Sequence, residues 1–521
     1  MTTTTVSSGA AGDIIISTGQ LIVSAGSGIS ALTEGSGQGG QITIDAFELV
    51  QIGDTGQGTQ IATQSAPGAI GNAGDVIVTT GRLILQSGGQ ISSSTSGTGN
   101  GGTVVINASE SVQVLGQGKS LNGDSVASGL FAQTLVLIPN IPVTGNSGDL
   151  IINTGDLIVQ DGGQISAAAI DGSLGQAGTL EINASESVTI TGPDSTLLTA
   201  SESLQPAGDL TINTGNLLVQ NGASIAADSS GTGAGGSILI DADAITLDNE
   251  ALITAMTDSS MGGDIFLNVG DVLLLKGGSS ISTTAGIAEG SGDGGSIDIT
   301  ADFIVATPNE NNDITANAFS GDGGKVEILT FGVFGFFPRS IGDLAAELGT
   351  SDPTALDPIL LPTSDITAIS QGDPAVTSQG TVVIQTIGVD PSQSLVDLPA
   401  NVIDVVGLVD QNLCQAGKGS EFIATGREGL PPSPINALNA SSGWEDLRID
   451  DFSEFVATTG RPASGSAAVT TELQPQSLEE AQGMMIAPDG TVMLTARPVA
   501  VTPQGTWLHP LDCQRLRASR G

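Results

Sequence analysis

The strongest constraint on this chain is a repeat marked by glycine. Similar segments begin at Gly12, Gly40, Gly74, Gly102, Gly148, Gly178, Gly208, Gly236, Gly263, Gly295 and Gly324. Successive starts are 27 to 34 residues apart, with one longer interval of 46. Two kinds of segment alternate. One begins with Gly-Asp, as at Gly148-Asp149. The other runs into Asn-Ala-Ser-Glu-Ser, as at residues 107–111 and 183–187. Near-periodic self-similarity of this size is the mark of a solenoid, in which each repeat buries its apolar side against its neighbours.

The apolar spacing selects the kind of solenoid. In the Gly-Asp type, apolar residues fall 2, 4, 9 and 11 positions after the glycine, and again near 17. They are Ile14, Ile16, Leu21, Val23 and Ile29 in the first copy, and Leu150, Ile152, Leu157, Val159 and Ile165 in the third. The last copy gives Ile265, Leu267, Val272, Leu274 and Ile281. Alternation at period two is strand spacing. The gaps carry Thr-Gly, then Gly-Gly or Asn-Gly, and predict turns between the runs. Three short strands per coil, each coil paired above and below, give an all-β chain folded as a right-handed parallel β-helix. The expected organisation is β-helix repeats over 1–330, irregular terminal coils and a cap over 331–391, and a non-repetitive region over 392–521. The aromatic run Phe331, Phe334, Phe336 and Phe337 is the predicted cap. Residues 118–146 are the largest insertion and read as a projecting loop or small hairpin.

Composition narrows the function classes. Apolar residues make up 39% and aromatics only 3%, with no tyrosine, which suits a narrow aliphatic interior. The net charge is −42, and Arg82, Lys119, Lys276 and Lys325 are the only basic residues before 330. Such a surface cannot neutralise phosphates, so nucleic acid is excluded as a partner. No apolar run approaches the ~20 residues of a membrane-spanning helix. Residues 1–6 have neither the basic nor the apolar segment of a signal peptide. The chain is therefore either cytosolic or a piece of a longer one.

Candidate chemistry is thin. A polysaccharide-active β-helix enzyme needs carboxylates clustered with basic residues. The single histidine is His509, and Asp13, Asp75, Asp149, Asp209 and Asp264 align at coil starts, where turn chemistry explains them. Ser291-Gly292-Asp293-Gly294-Gly295 and Ser320-Gly321-Asp322-Gly323-Gly324 are fragments of a calcium-binding turn without its second aspartate. They read as tight turns, leaving weak divalent-cation binding open. Asn107 and Asn183 lie in glycosylation sequons that the repeat itself accounts for. Cys414 and Cys513 fit either a disulfide in an oxidising compartment or two unrelated thiols, and a structural role for them outweighs a thiol nucleophile beside His509. The expectation is no catalytic, cofactor or metal site, and no enzyme.

Beyond the coils lie more specific motifs. They are Asp313-Ile314-Thr315-Ala316, Phe331-Gly332-Val333-Phe334-Gly335, Gly388-Val389-Asp390-Pro391-Ser392, Leu398-Pro399-Ala400-Asn401-Val402, and Cys414-Gln415-Ala416-Gly417-Lys418 running to Gly429-Leu430-Pro431-Pro432. With the coils, these resemble the C-terminal part of cyanobacterial filamentous-haemagglutinin-like exoproteins of two-partner secretion. The resemblance implies export of the full-length form by an outer-membrane transporter and an extracellular or surface-displayed, outer-membrane-associated location. It also implies an adhesin-like role toward a cell-surface or glycan ligand that the residues do not identify. The secretion domain and signal peptide of such proteins are missing, which implies that the chain is a fragment. A polysaccharide-active enzyme and a ligand-free structural surface-layer component are the alternatives.

Overall fold

The computed structural model describes residues 1–387, except 55–57, 121, 171 and 287–289, together with the strands Gly483–Ile486 and Val492–Thr495. The described residues of the first of two units, Met1–Val396, form a parallel β-solenoid of about 12 turns. Twelve strands form one sheet and thirteen form another, and each strand pairs in parallel with the equivalent strand of the next coil. At ~4.8 Å per coil the stack is roughly 55 Å long. The all-β parallel β-helix expected from the alternation is the fold. Within the described residues of the second unit, Gly483–Ile486 pairs antiparallel with Val492–Thr495.

A central coil shows how the residues make this shape. A long strand, Leu150–Gln160, is followed by a short one, Gln164–Ser166, and then by single bridges from Ala169 to Thr134 and Ser201. The Thr-Gly gap is not the turn the sequence suggests. Thr154 pairs with Ala108 and Asp156 with Ser111, so Gly155 alone stands opposite Ser109 and Glu110. Two residues against one is a β-bulge, which bends a strand without ending it. Two of the three predicted strands therefore run on as one. A Cβ at Gly155 would come within 2.5 Å of the Glu110 carbonyl oxygen, so the corner has no room for one.

Two further glycine classes have separate causes. The turn between long and short strands is Asp161-Gly162, with φ of 55° and 87°, the left-handed region that Gly and Asn/Asp tolerate best. The coil-start glycines do not need positive φ. They stack backbone on backbone, and a Cβ at Gly178 would lie 1.8 Å from the Gly148 oxygen. Inside, Ile152 stacks between Ile106 and Ile182, and all three are fully buried. In the copy beginning at Gly263 the prediction fails by one residue. Gly270 and Asp271 both occupy the corner, so Leu273 and Leu275 point inward while Val272 and Leu274 are only partly buried. A single added residue before a strand reverses which side chains face the core.

The insertion is divided between two places. Gln117–Lys119 and Ser125–Ala127 form an antiparallel hairpin. Gly129–Phe131 is then an ordinary short strand between Gln90–Thr95 and Gln164–Ser166, and the remaining length follows it.

The last described coil departs most from the repeat. Phe336 joins the core, but Phe331, Phe334 and Phe337 are about half exposed. They do not close the stack; Phe331 and Phe334 flank Phe303 on its surface. After Phe336–Arg339 the chain forms the helix Ile341–Leu348 and two 3-10 turns, whose Leu344, Leu356 and Leu361 pack on Ile369. Ser364–Thr367 then inserts between Asp313–Thr315 and Phe336–Arg339. The later strand takes the inner place. Pro338 has no N–H to give a second neighbour, which confines Phe336–Arg339 to an edge.

Candidate functional site

The side chains repeated from coil to coil are the first place to look for a site. The aligned aspartates are hydrogen-bonded rungs. Asp13 accepts from the Gln41 N–H at 2.9 Å, Asp75 from Thr103 at 2.9 Å, Asp209 from Ser237 at 3.0 Å and Asp264 from Ser296 at 3.2 Å. Asp149 accepts from both the N–H and the hydroxyl of Thr179. Each carboxylate thus takes up a backbone donor on the next coil. The calcium-like turns follow the same rule: Asp293 accepts from Asp322 N–H and Asp322 from Ser378 N–H. Among the described residues, no group of three or more His, Cys, Asp or Glu is placed to hold a metal ion.

Asn107 and Asn183 belong to a second ladder, on the outer face of the long-strand sheet. Asn153 donates to Asn107 at 2.9 Å, Asn183 to Asn153 at 3.0 Å and Asn213 to Asn183 at 2.9 Å. The column continues through Asp241, which accepts from Asn268 at 2.7 Å. In the opposite direction it ends at Asn107, because the paired position in the next coil is Thr79 and then Asp45.

The buried acids lie elsewhere. Burial raises Asp228 above the ordinary carboxylate range, against hydrogen bonds from Met256 N–H and Thr254 that lower it. Asp313 is pushed up to about 7, first by burial and also by the charge of Asp365. Asp365, fully buried, accepts from Arg339 at 2.9 Å and from Thr363 at 2.8 Å. Its own N–H bonds Asp313, so this group ties the last coil to the one before it. Cys414, Cys513 and His509 lie outside the described residues.

The sequence did not reveal one concave surface. Along the bend of the long strands, glycine corners at Gly81, Gly155 and Gly215 alternate with the two-residue corners Phe47-Glu48, Ser109-Glu110 and Ser185-Glu186. The glycines leave hollows between ridges. One hollow of about 490 Å³ is lined by Phe47, Thr79, Asn107, Ser109, Asn153 and Gly155 among others. A second of about 320 Å³ runs from Ser185 to Gly215. Both include Ser185, so they form one track parallel to the stack. Phe47 is 83% exposed at its head. The available signal was Phe47 itself, an aromatic at a corner where the other two-residue corners of this track carry serine.

No protein family model, curated protein or solved structure matches this chain. Among the described residues, no helix is long and apolar enough to cross a membrane.

Proposed function

We propose that this chain is an adhesin-like β-helical scaffold of the filamentous haemagglutinin type, exported by two-partner secretion and displayed at or released from the cell surface. The observation that carries the reading is where the aligned acids go. Asp13, Asp75, Asp149, Asp209 and Asp264 each engage a backbone N–H of the next coil, so they extend and fix the stack. A stack fixed in this way is a stiff support that can present ligand-binding surface along its length. The motifs from Gly388 to Pro432 supply the family resemblance.

The test uses the full chain, purified and coupled to beads, in a cell-aggregation assay and on a glycan array. Saturable binding to cells or glycans is expected. Failure of both favours the ligand-free surface component, and release of reducing sugar from a polysaccharide favours the enzyme.

A further inference from the structure

The hollow track along the bend has the chemistry of a sugar site, and this inference rests on the adhesin reading by naming its ligand and its place. We propose that the groove from Phe47 to Gly215 binds a linear, uncharged polysaccharide lying along the stack, with one ring on Phe47 and the following units on the Asn107–Asn153–Asn183 ladder.

Three observations converge. Phe47 offers an exposed aromatic face at the head of the groove. The face of an aromatic ring is negative, and the axial C–H groups of a pyranose are weakly positive and apolar, so the two stack. Beside it stand the donors and acceptors that hydroxyls need. Asn107 accepts from Asn153, and among the described residues its own amide N–H groups donate to no side chain of the next coil, where Thr79 takes the paired position. Thr79, Ser109 and Ser185 add hydroxyls along the same wall.

Length and charge select the ligand further. The track crosses five coil intervals, from the coil of Phe47 to that of Gly215, or roughly 24 Å. That length fits an extended oligosaccharide better than a single sugar, and the ladder presents one amide per coil at a rise close to the length of one sugar unit. The rim carries Glu48, Glu110 and Glu186, with Arg82 paired to Glu110 at 3.6 Å. A polyanion such as polygalacturonate is repelled by this rim.

Affinity electrophoresis of the full chain tests this, with mixed-linkage β-glucan, hydroxyethyl cellulose and dextran as neutral probes and polygalacturonate as the charged one. Retardation by at least one neutral probe and none by polygalacturonate is expected. Phe47→Ala should weaken that binding about tenfold with no change in melting temperature, since the ring is exposed. Ser109→Arg, at an exposed corner, should block the hollow and abolish binding. If neutral glycans bind and neither substitution weakens them, or if only the polyanion binds, the groove is not the site. Cell or glycan-array binding without retardation by any neutral probe also overturns the groove proposal and leaves the adhesin reading standing. Absence of binding in every assay overturns both.

Discussion

In the central coils, the polar rungs join residues 28 to 30 apart: Asp149 to Thr179, Asn183 to Asn153 and Asp209 to Ser237. In the last coil the rungs on the short-strand side span 49 to 52 residues: the Asp365 N–H to Asp313, the Ile369 N–H to Asn317 and the Ser370 hydroxyl to the Gly321 carbonyl. The hydrogen-bonding logic is the same, but the chain between the partners is much longer. Lengthening a loop costs little, about 0.6 kcal/mol per doubling. A strand that completes the ladder therefore takes its place even after a long excursion. Phe336–Arg339 comes first in the chain but is displaced to the edge, because Pro338 cannot pair on both sides. What selects the neighbour is the match of hydrogen-bonding groups between coils, more than order along the chain.

The largest effect should separate the two regions most sharply. Ile152→Asp places a carboxylate in a dry column and should cost more than about 4 kcal/mol or abolish cooperative urea unfolding. Ile384→Asp, in the partly buried strand Thr381–Thr386 that ends the long-strand sheet, should cost well under half as much.

Next comes the acid at the junction. The folded pKa of Asp313, about 7, lies above its ordinary 3.8. The folded chain therefore holds a proton that the unfolded chain releases. The resulting loss of stability grows as pH rises from the ordinary value to about 7 and stays constant above it. Asp313→Asn keeps an acceptor for the Asp365 N–H. It should stabilise the protein by up to about 4 kcal/mol at pH 8 and by nothing near pH 3, read from melting curves at the two pH values. A pH-independent effect would remove the acid from this account.

Asp149→Ala removes a rung in the central stack and should cost about 1–2 kcal/mol in urea denaturation. Equal loss in Asp149→Asn, which can still accept from Thr179, would show that charge matters more than the bond. The smallest effect belongs to the excursion. Ser340 caps the helix Ile341–Leu348 in a reciprocal box with Asp343, whose carboxyl the Ser340 hydrogen bonds hold below the usual range. Ser340→Ala should cost about 1 kcal/mol. Hydrogen exchange should rise in the helix and leave Leu150–Gln160 unchanged.

The period, the strand spacing and the inward Ile, Val and Leu columns were legible because each is repeated. Ile152 and Ile165 follow from alternation alone. The corners were not legible, since Thr-Gly reads equally as a turn or a bulge, and the difference depends on Glu110 of the neighbouring coil. The same blindness placed Val272 and Leu274 inside. The aspartates were seen to align, but their partners are backbone N–H groups that no residue type announces. The groove arises from side chains missing at Gly155 and Gly215, and the place of Ser364–Thr367 depends on a proline in another strand.

The alternation of corners also limits how such a rod can change length. Where the described strands are in register, one-residue corners adjoin each other at Gly215 and Asp243 and again at Asp302 and Phe331, but a two-residue corner always lies against a one-residue corner. Deleting the coil of Gly155 alone would press Ser109-Glu110 onto Ser185-Glu186, where two bulges would compete for the space one glycine leaves. In this part of the stack, duplication or loss of coils in pairs keeps every two-residue corner against a one-residue corner, so the structural unit that can be added or removed is twice the size of the apparent repeat.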